Sequence, residues 1–112
     1  MENSKSDIKK RSYLFALRII KLVESLPNNP ASRIISDQLL RSATSIGANI
    51  IEAQAASSRR DFTNFLNHAL KSANETKFWL GLLRDSRKGN KEAINPLLED
   101  AKHWLIFLPP VS

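Results

Sequence analysis

A chain of 112 residues with 42% apolar and 25% charged side chains has the balance of a folded protein with one core, not of a disordered segment. It has no cysteine, which excludes a disulfide framework and thiolate metal sites, and no apolar run long enough to cross a bilayer, so the expectation is a soluble, cytoplasmic protein with no membrane partner. A net charge of +6 and a pI near 10.0 raise the prior for a polyanionic partner, because clustered Lys and Arg release counterions from phosphate backbones.

The patterning predicts an all-α chain: an antiparallel up-down-up-down four-helix bundle, one domain over residues 1–112, with helices at about 6–26, 30–55, 58–86 and 96–108. Residues 1–5 carry no pattern and read as a frayed tail. In the first helix Ile8, Phe15, Ile19, Leu22, Val23 and Leu26 form a broad apolar stripe, while Tyr13, Leu14 and Leu17 fall outside it. Lys10, Arg11, Arg18 and Lys21 share one arc of the same helix, readable either as an anion-binding ridge or as an ordinary solvated face.

Pro27 closes this helix, and Asn29 caps the next with Pro30 at its first position. There Ile35, Leu39, Ala43, Ile46, Ile50 and Ala53 recur at steps of three and four, on one face. Ser42, Ala43, Thr44, Ser45, Gly47 and Ala48 leave little bulk, so a neighbouring helix can come close. Gly47 costs about 1 kcal/mol relative to alanine in a helix interior, which close packing or a bend would offset. The reversal at Ala56–Ser58 is short enough to demand antiparallel neighbours, and Ser58 with Asp61 forms a capping pair.

In the third helix Phe62, Leu66, Ala69, Ala73 and Leu80 share a stripe, whereas Phe78, Trp79 and Leu82 point away from it. One buried face cannot hold both sets, so the second must be sandwiched in the bundle or meet another subunit. Leu14, Leu17, Trp79 and Leu82 are therefore the residues expected at a homo-oligomer interface. Arg84, Arg87, Lys88 and Lys91 gather around Gly89-Asn90, a helix stop with Gly89 in the left-handed cap; these cations read better as partners of the helix dipole than as a phosphate site. Asn95-Pro96 is expected to start the last helix, with Leu97, Leu98, Ala101, Trp104, Leu105 and Leu108 buried and Pro109-Pro110 ending it.

No constellation for catalysis stands out. A di-metal bundle site needs inward carboxylates with Glu-x-x-His pairs, and neither the Asp100/His103 pair, expected in solvent, nor His68 supplies them, so no metal or cofactor is expected. Arg60 and His68 lie rotated too far apart for the arginine–histidine arrangement of helical ribonucleases, and there is no Gly-rich phosphate loop or nucleophile motif. The polar set Ser45, Asn49, Glu52, Asn74 and Glu75 reads as a structural network fixing register between helices or subunits. Arg59 and Arg60, in the first turn of the third helix, are further candidates for an anion, which the exposed N–H groups there also favour.

The words SIGANI, EAQ, SRRDF and ANETKFWL, in that order and spacing, closely resemble the four-helix-bundle family first noticed in intervening sequences of bacterial 23S ribosomal RNA genes. The resemblance spans roughly Ser12 to Leu108 and is strongest in the middle. It implies an up-down bundle, ring-like homo-oligomers with five subunits as the suggested count, and a basic surface that touches nucleic acid. It implies no settled activity. The family's fourth helix usually runs past Pro109-Pro110, so contacts that depend on that extension are expected to differ. Three functions are then ranked. The first is a non-enzymatic oligomeric bundle presenting basic ridges to RNA or DNA backbone. The second is a protein-interaction adaptor without nucleic-acid affinity, and the least favoured is an unrecognised enzyme.

Overall fold

The computed structural model describes residues 4–107, apart from the side chains of residues 4–7 and 104–107. Four helices follow one another: α1 (Ser4–Glu24), α2 (Pro30–Gln54), α3 (Arg59–Asp85) and α4 (Lys91–Phe107), with no strand among the described residues. The α2–α3 seam is the most extensive; α1 packs on α2, α3 on α4, and α4 closes the arrangement against α1 through the thinnest seam. Because α1 does not meet α3, nor α2 meet α4, the members of each of those pairs sit diagonally. The longest dimension, 44 Å, is close to the roughly 40 Å that a helix of α3's length spans at 1.5 Å per residue.

The registers give the directions. Ser45 pairs with Ser72 and Ser42 with Thr76, so numbering falls on α2 as it rises on α3 and the two run antiparallel. Between α1 and α2, Lys9 shares a groove with Ile51, and Val23 and Leu26 share another with Asp37 and Leu40, which makes that pair antiparallel too.

The predicted stripes supply the core: Phe15, Ile19 and Leu22 from α1, Leu39, Ala43, Ile46, Ile50 and Ala53 from α2, and Leu66, Ala69, Ala73 and Leu80 from α3. Leu83 and Ile94, which lie outside those stripes, are fully buried as well. Two helix starts follow the predicted chemistry. Asn29 Oδ1 accepts the Ser32 N–H at 2.9 Å with Pro30 behind it, and Ser58 Oγ accepts the Asp61 N–H at 3.1 Å. Gly47 brings α1 and α2 together: a Cβ there would stand 3.2 Å from Ser12 Oγ, so close packing, not a bend, offsets its low helix propensity.

Three expectations need correcting. α1 starts at Ser4, so residues 4 and 5 belong to a helix and not to a tail. α4 starts at Lys91, one turn before Asn95-Pro96, because Asn90 takes the capping role: its Oδ1 accepts the Glu92 N–H at 2.9 Å, and its carbonyl accepts from Ala93 and Ile94 at 3.0 Å. Pro96 therefore lies inside the helix and leaves the Glu92 carbonyl without its usual donor, a loss set against the complete burial of Ile94 in the added turn.

The stop of α3 also differs. The Lys88 N–H reaches the Leu83 carbonyl at 3.1 Å and the Arg87 N–H the Arg84 carbonyl at 3.2 Å, a Schellman closure whose left-handed residue is Arg87 (φ 60) and not Gly89. Gly89 serves space instead of dihedral freedom, since a Cβ there would come within 2.8 Å of Ile94 Cδ1 and 3.2 Å of Leu26 Cδ2. Of the expected α4 core, Leu97 and Ala101 are buried and Leu98 half-buried; the side chains of Trp104 and Leu105, and Leu108 altogether, lie outside the described residues.

Candidate functional site

The six basic side chains singled out on α1 and at the start of α3 fall into two groups. Lys10, Lys21, Arg59 and Arg60 are exposed, and among the described residues none of them forms an ion pair. Arg11 and Arg18, the middle members of the arc on α1, instead converge on one carboxylate of α4. Arg18 Nη1 donates to Asp100 Oδ2 at 2.6 Å, and Arg11 Nη2 lies 3.7 Å from Asp100 Oδ1. Asp100 points this way because buried Leu97 and Ala101 set the inner face of α4, leaving position 100 at its border toward α1. The solvent-exposed Asp100/His103 pair expected from spacing does not form: His103 stays in solvent while Asp100 is half-buried against the arginines.

Within the cluster at the end of α3, Arg84 donates from Nε and Nη2 to Asp85 at 2.9 and 3.2 Å. That side-chain hydrogen bond holds the Asp85 carboxyl below the ordinary range for an aspartate. Arg84 is thereby engaged locally. Arg87 is exposed and Lys88 partly so, next to the C-terminal carbonyls of α3.

The polar network sits on the α2–α3 seam, with membership different from the expectation. Asn49 Nδ2 donates to the Ser45 carbonyl at 2.8 Å and to Ser45 Oγ at 2.9 Å, and Ser72 Oγ donates to Ser45 Oγ at 3.0 Å. Fully buried Thr76 has its Oγ1 2.9 Å from Ser42 Oγ and 2.7 Å from the Ser72 carbonyl. The partners on α3 are thus the hydroxyls of Ser72 and Thr76. Asn74 and Glu75 turn outward, as does Glu52 on α2, because Ala69, Ala73, Thr76 and Leu80 form the inner edge of α3. Thr76 lies three after Ala73 and four before Leu80, so the helical spacing itself carried that signal.

Large apolar side chains remain on the outer faces. Tyr13 is 68% exposed and Phe78 58%, and Leu14, Leu17, Ile20 and Leu82 are exposed beside them. Trp79 is different: half-buried, it packs on the core, meets Phe78 edge-on at 4.9 Å between centroids, and donates from Nε1 to Glu75 Oε2 at 3.4 Å. Of the four residues expected at a subunit contact, Leu14, Leu17 and Leu82 are exposed, whereas Trp79 is half-buried against the core. Among the described residues there is no group of three or more His, Asp or Glu side chains placed to hold a metal ion. No described helix is long and apolar enough to cross a membrane.

Four helices around one apolar centre, with a hydroxyl-lined α2–α3 seam, define an all-α four-helix bundle. The family of 23S rRNA-intervening sequence proteins matches residues 4–107, and the chain belongs to that family. It is similar to the crystal structure of a protein of unknown function from the S23 ribosomal protein family of Bacteroides thetaiotaomicron, with 42% sequence identity, 95% of each chain covered and a TM-score of 0.87. A comparison with curated proteins finds no match.

Proposed function

We propose that this protein is a non-enzymatic bundle that associates with copies of itself through its outward apolar faces and presents Lys10, Lys21, Arg59 and Arg60 to the sugar-phosphate backbone of RNA or DNA. The observation that carries the reading is the coexistence of outward apolar side chains on α1 and α3 with Lys10, Lys21, Arg59 and Arg60, which are exposed and form no ion pair among the described residues. Burying Tyr13, Leu17, Phe78 and Leu82 between copies removes apolar surface from water at about 25 cal/mol per Å². A ring, with five copies as the resemblance implies, would bring the basic positions of several chains within reach of one polyanion and multiply a weak individual affinity.

Recognition would be directed at the backbone, since Lys10, Lys21, Arg59 and Arg60 supply charge and the exposed rings of Tyr13 and Phe78 are assigned to the contacts between copies. Ribosomal RNA appears in the family's description, which makes RNA the first polyanion to try. Filter binding of RNA and DNA over a salt series tests this: the logarithm of affinity should fall linearly with the logarithm of salt concentration, with a slope of about −0.7 per phosphate for single strands. No retention of either nucleic acid at low salt overturns the binding half and leaves an interaction adaptor. Light scattering tests the other half, and a particle that remains a monomer at high concentration overturns it.

A further inference from the structure

We propose that the groove between α1 and α2 is a socket for Phe78 of a second copy of this chain, so that copies join head-to-tail, groove to ring. The inference rests on the reading of the protein as self-associating and names the two surfaces that mate. The groove lies where α1 begins and α2 ends, and has a volume of about 510 Å³. Ala16, Thr44, Gly47 and Ala48 line it with little side-chain bulk, and Tyr13 and Ile51 are its large, exposed members.

Its chemistry calls for an apolar guest. The two aliphatic hydroxyls that line it are satisfied within their own helices: Ser12 Oγ donates to the Lys9 carbonyl at 2.8 Å and Thr44 Oγ1 to the Leu40 carbonyl at 2.6 Å. Lys9 and Lys10 make the groove cationic at one end, and no acidic side chain lines it among the described residues. An apolar groove with cations at its rim selects an apolar side chain that has an acid beside it.

α3 carries that combination. Phe78 is 58% exposed and meets Trp79 edge-on, and a Cβ on nearby Gly81 would find nothing within 4 Å, so the ring has open space on that side. The positions one helical turn from Phe78 are Asn74, Glu75, Gly81 and Leu82, which include an exposed acid and no cation. Lys77 projects about 100° around the helix from Phe78, and Lys71 lies two turns away. With Phe78 seated in the groove, Glu75 is the acid that meets Lys9. Because α1 and α3 lie diagonally and make no contact, a chain cannot bring its own Phe78 to its own groove, whereas another copy can.

The test reads mass by light scattering, with circular dichroism as the check on folding. Ala48→Trp fills the groove and keeps the ring, while Phe78→Ala removes the ring and keeps the groove; both positions are exposed. Each variant alone is expected to lose the oligomer and remain a monomer. Mixed in equal amounts, the two should form a dimer and nothing larger, because one intact groove and one intact ring are left to join. Lys9→Glu and Glu75→Lys should each weaken association several-fold, and the two reversals in one chain should recover most of it.

Ala48→Trp or Phe78→Ala keeping the mass of an oligomeric wild type overturns the proposal, leaves the groove to an occupant other than this chain, and leaves self-association standing. A mixture that stays monomeric overturns it too, since surfaces that do not complement each other are not mates. Should Ala48→Trp lose its helical signal, Ile51→Glu, at an exposed position of the same groove, takes its place in both experiments. A wild type that is a single chain at every concentration removes the self-association reading first, and this joint falls with it.

Discussion

Arg87 shows how a single backbone dihedral is set by hydrogen bonding and not by residue preference. The Schellman closure of α3 requires a left-handed residue at this point, and a side chain with a Cβ pays about 1–2 kcal/mol for it. Arg87→Gly should therefore raise stability in urea denaturation by about 0.5 kcal/mol, the relieved penalty less the extra freedom glycine has when unfolded. Ser32 offers a second case. Its Oγ is buried without a hydrogen-bond partner among the described residues, so Ser32→Ala removes a desolvated hydroxyl and gains helix propensity, for a stabilisation of about 1 kcal/mol by the same measurement. Neither position could be read from sequence. Glycine is the default left-handed residue, which pointed to Gly89, whereas the contact that Gly89 permits with Ile94 and Leu26 joins parts of the chain far apart in sequence.

At the scale of the element, the α2–α3 seam is held by hydroxyls as well as by apolar packing. Thr76→Val removes the oxygen that meets Ser42 across the seam, while Ser42 keeps the Leu39 carbonyl at 3.2 Å. The expected cost is about 1 kcal/mol, and a double-mutant cycle with Ser42→Ala should return a coupling of about 0.5–1 kcal/mol by thermal or chemical unfolding. Helical periodicity made α2 and α3 legible, caps included, because their apolar stripes are long and their Asn-Pro and Ser-x-x-Asp starts are local signals. Periodicity was less decisive for α4. Asn95-Pro96 resembles a cap followed by proline, yet Asn90 caps the helix one turn earlier and Ile94 is buried behind Gly89, an outcome decided by tertiary packing. The pairing of Ser45 with Ser72, and not with Asn74 or Glu75, likewise depends on the rotation of α3 about its axis, which small and polar residues mark only faintly.

At the scale of the whole molecule, outward Leu17 and Leu82 make separable tests of assembly and folding. Leu17→Glu with Leu82→Glu should lower the mass measured by light scattering while leaving the helical circular dichroism signal unchanged, because both side chains already meet water. Trp79→Glu should reduce the helical signal itself, since part of that ring lies against the core. Fold class was readable because excess apolar residues at helical spacing leave few other solutions. The Arg11–Asp100–Arg18 cluster was not, since its members lie up to 89 residues apart and meet only because α4 lies beside α1.

The diagonal placement of α1 and α3 has a geometric corollary. Their greasy outer sides look in opposite directions, so under the proposed self-association a joint that mated one with the other would give the assembly polarity: each added copy would hide one side and offer the next. Growth of that kind ends only when the last copy meets the first. The angle at the joint, and hence a single residue that tilts it, would decide between a finite particle and an endless fibre.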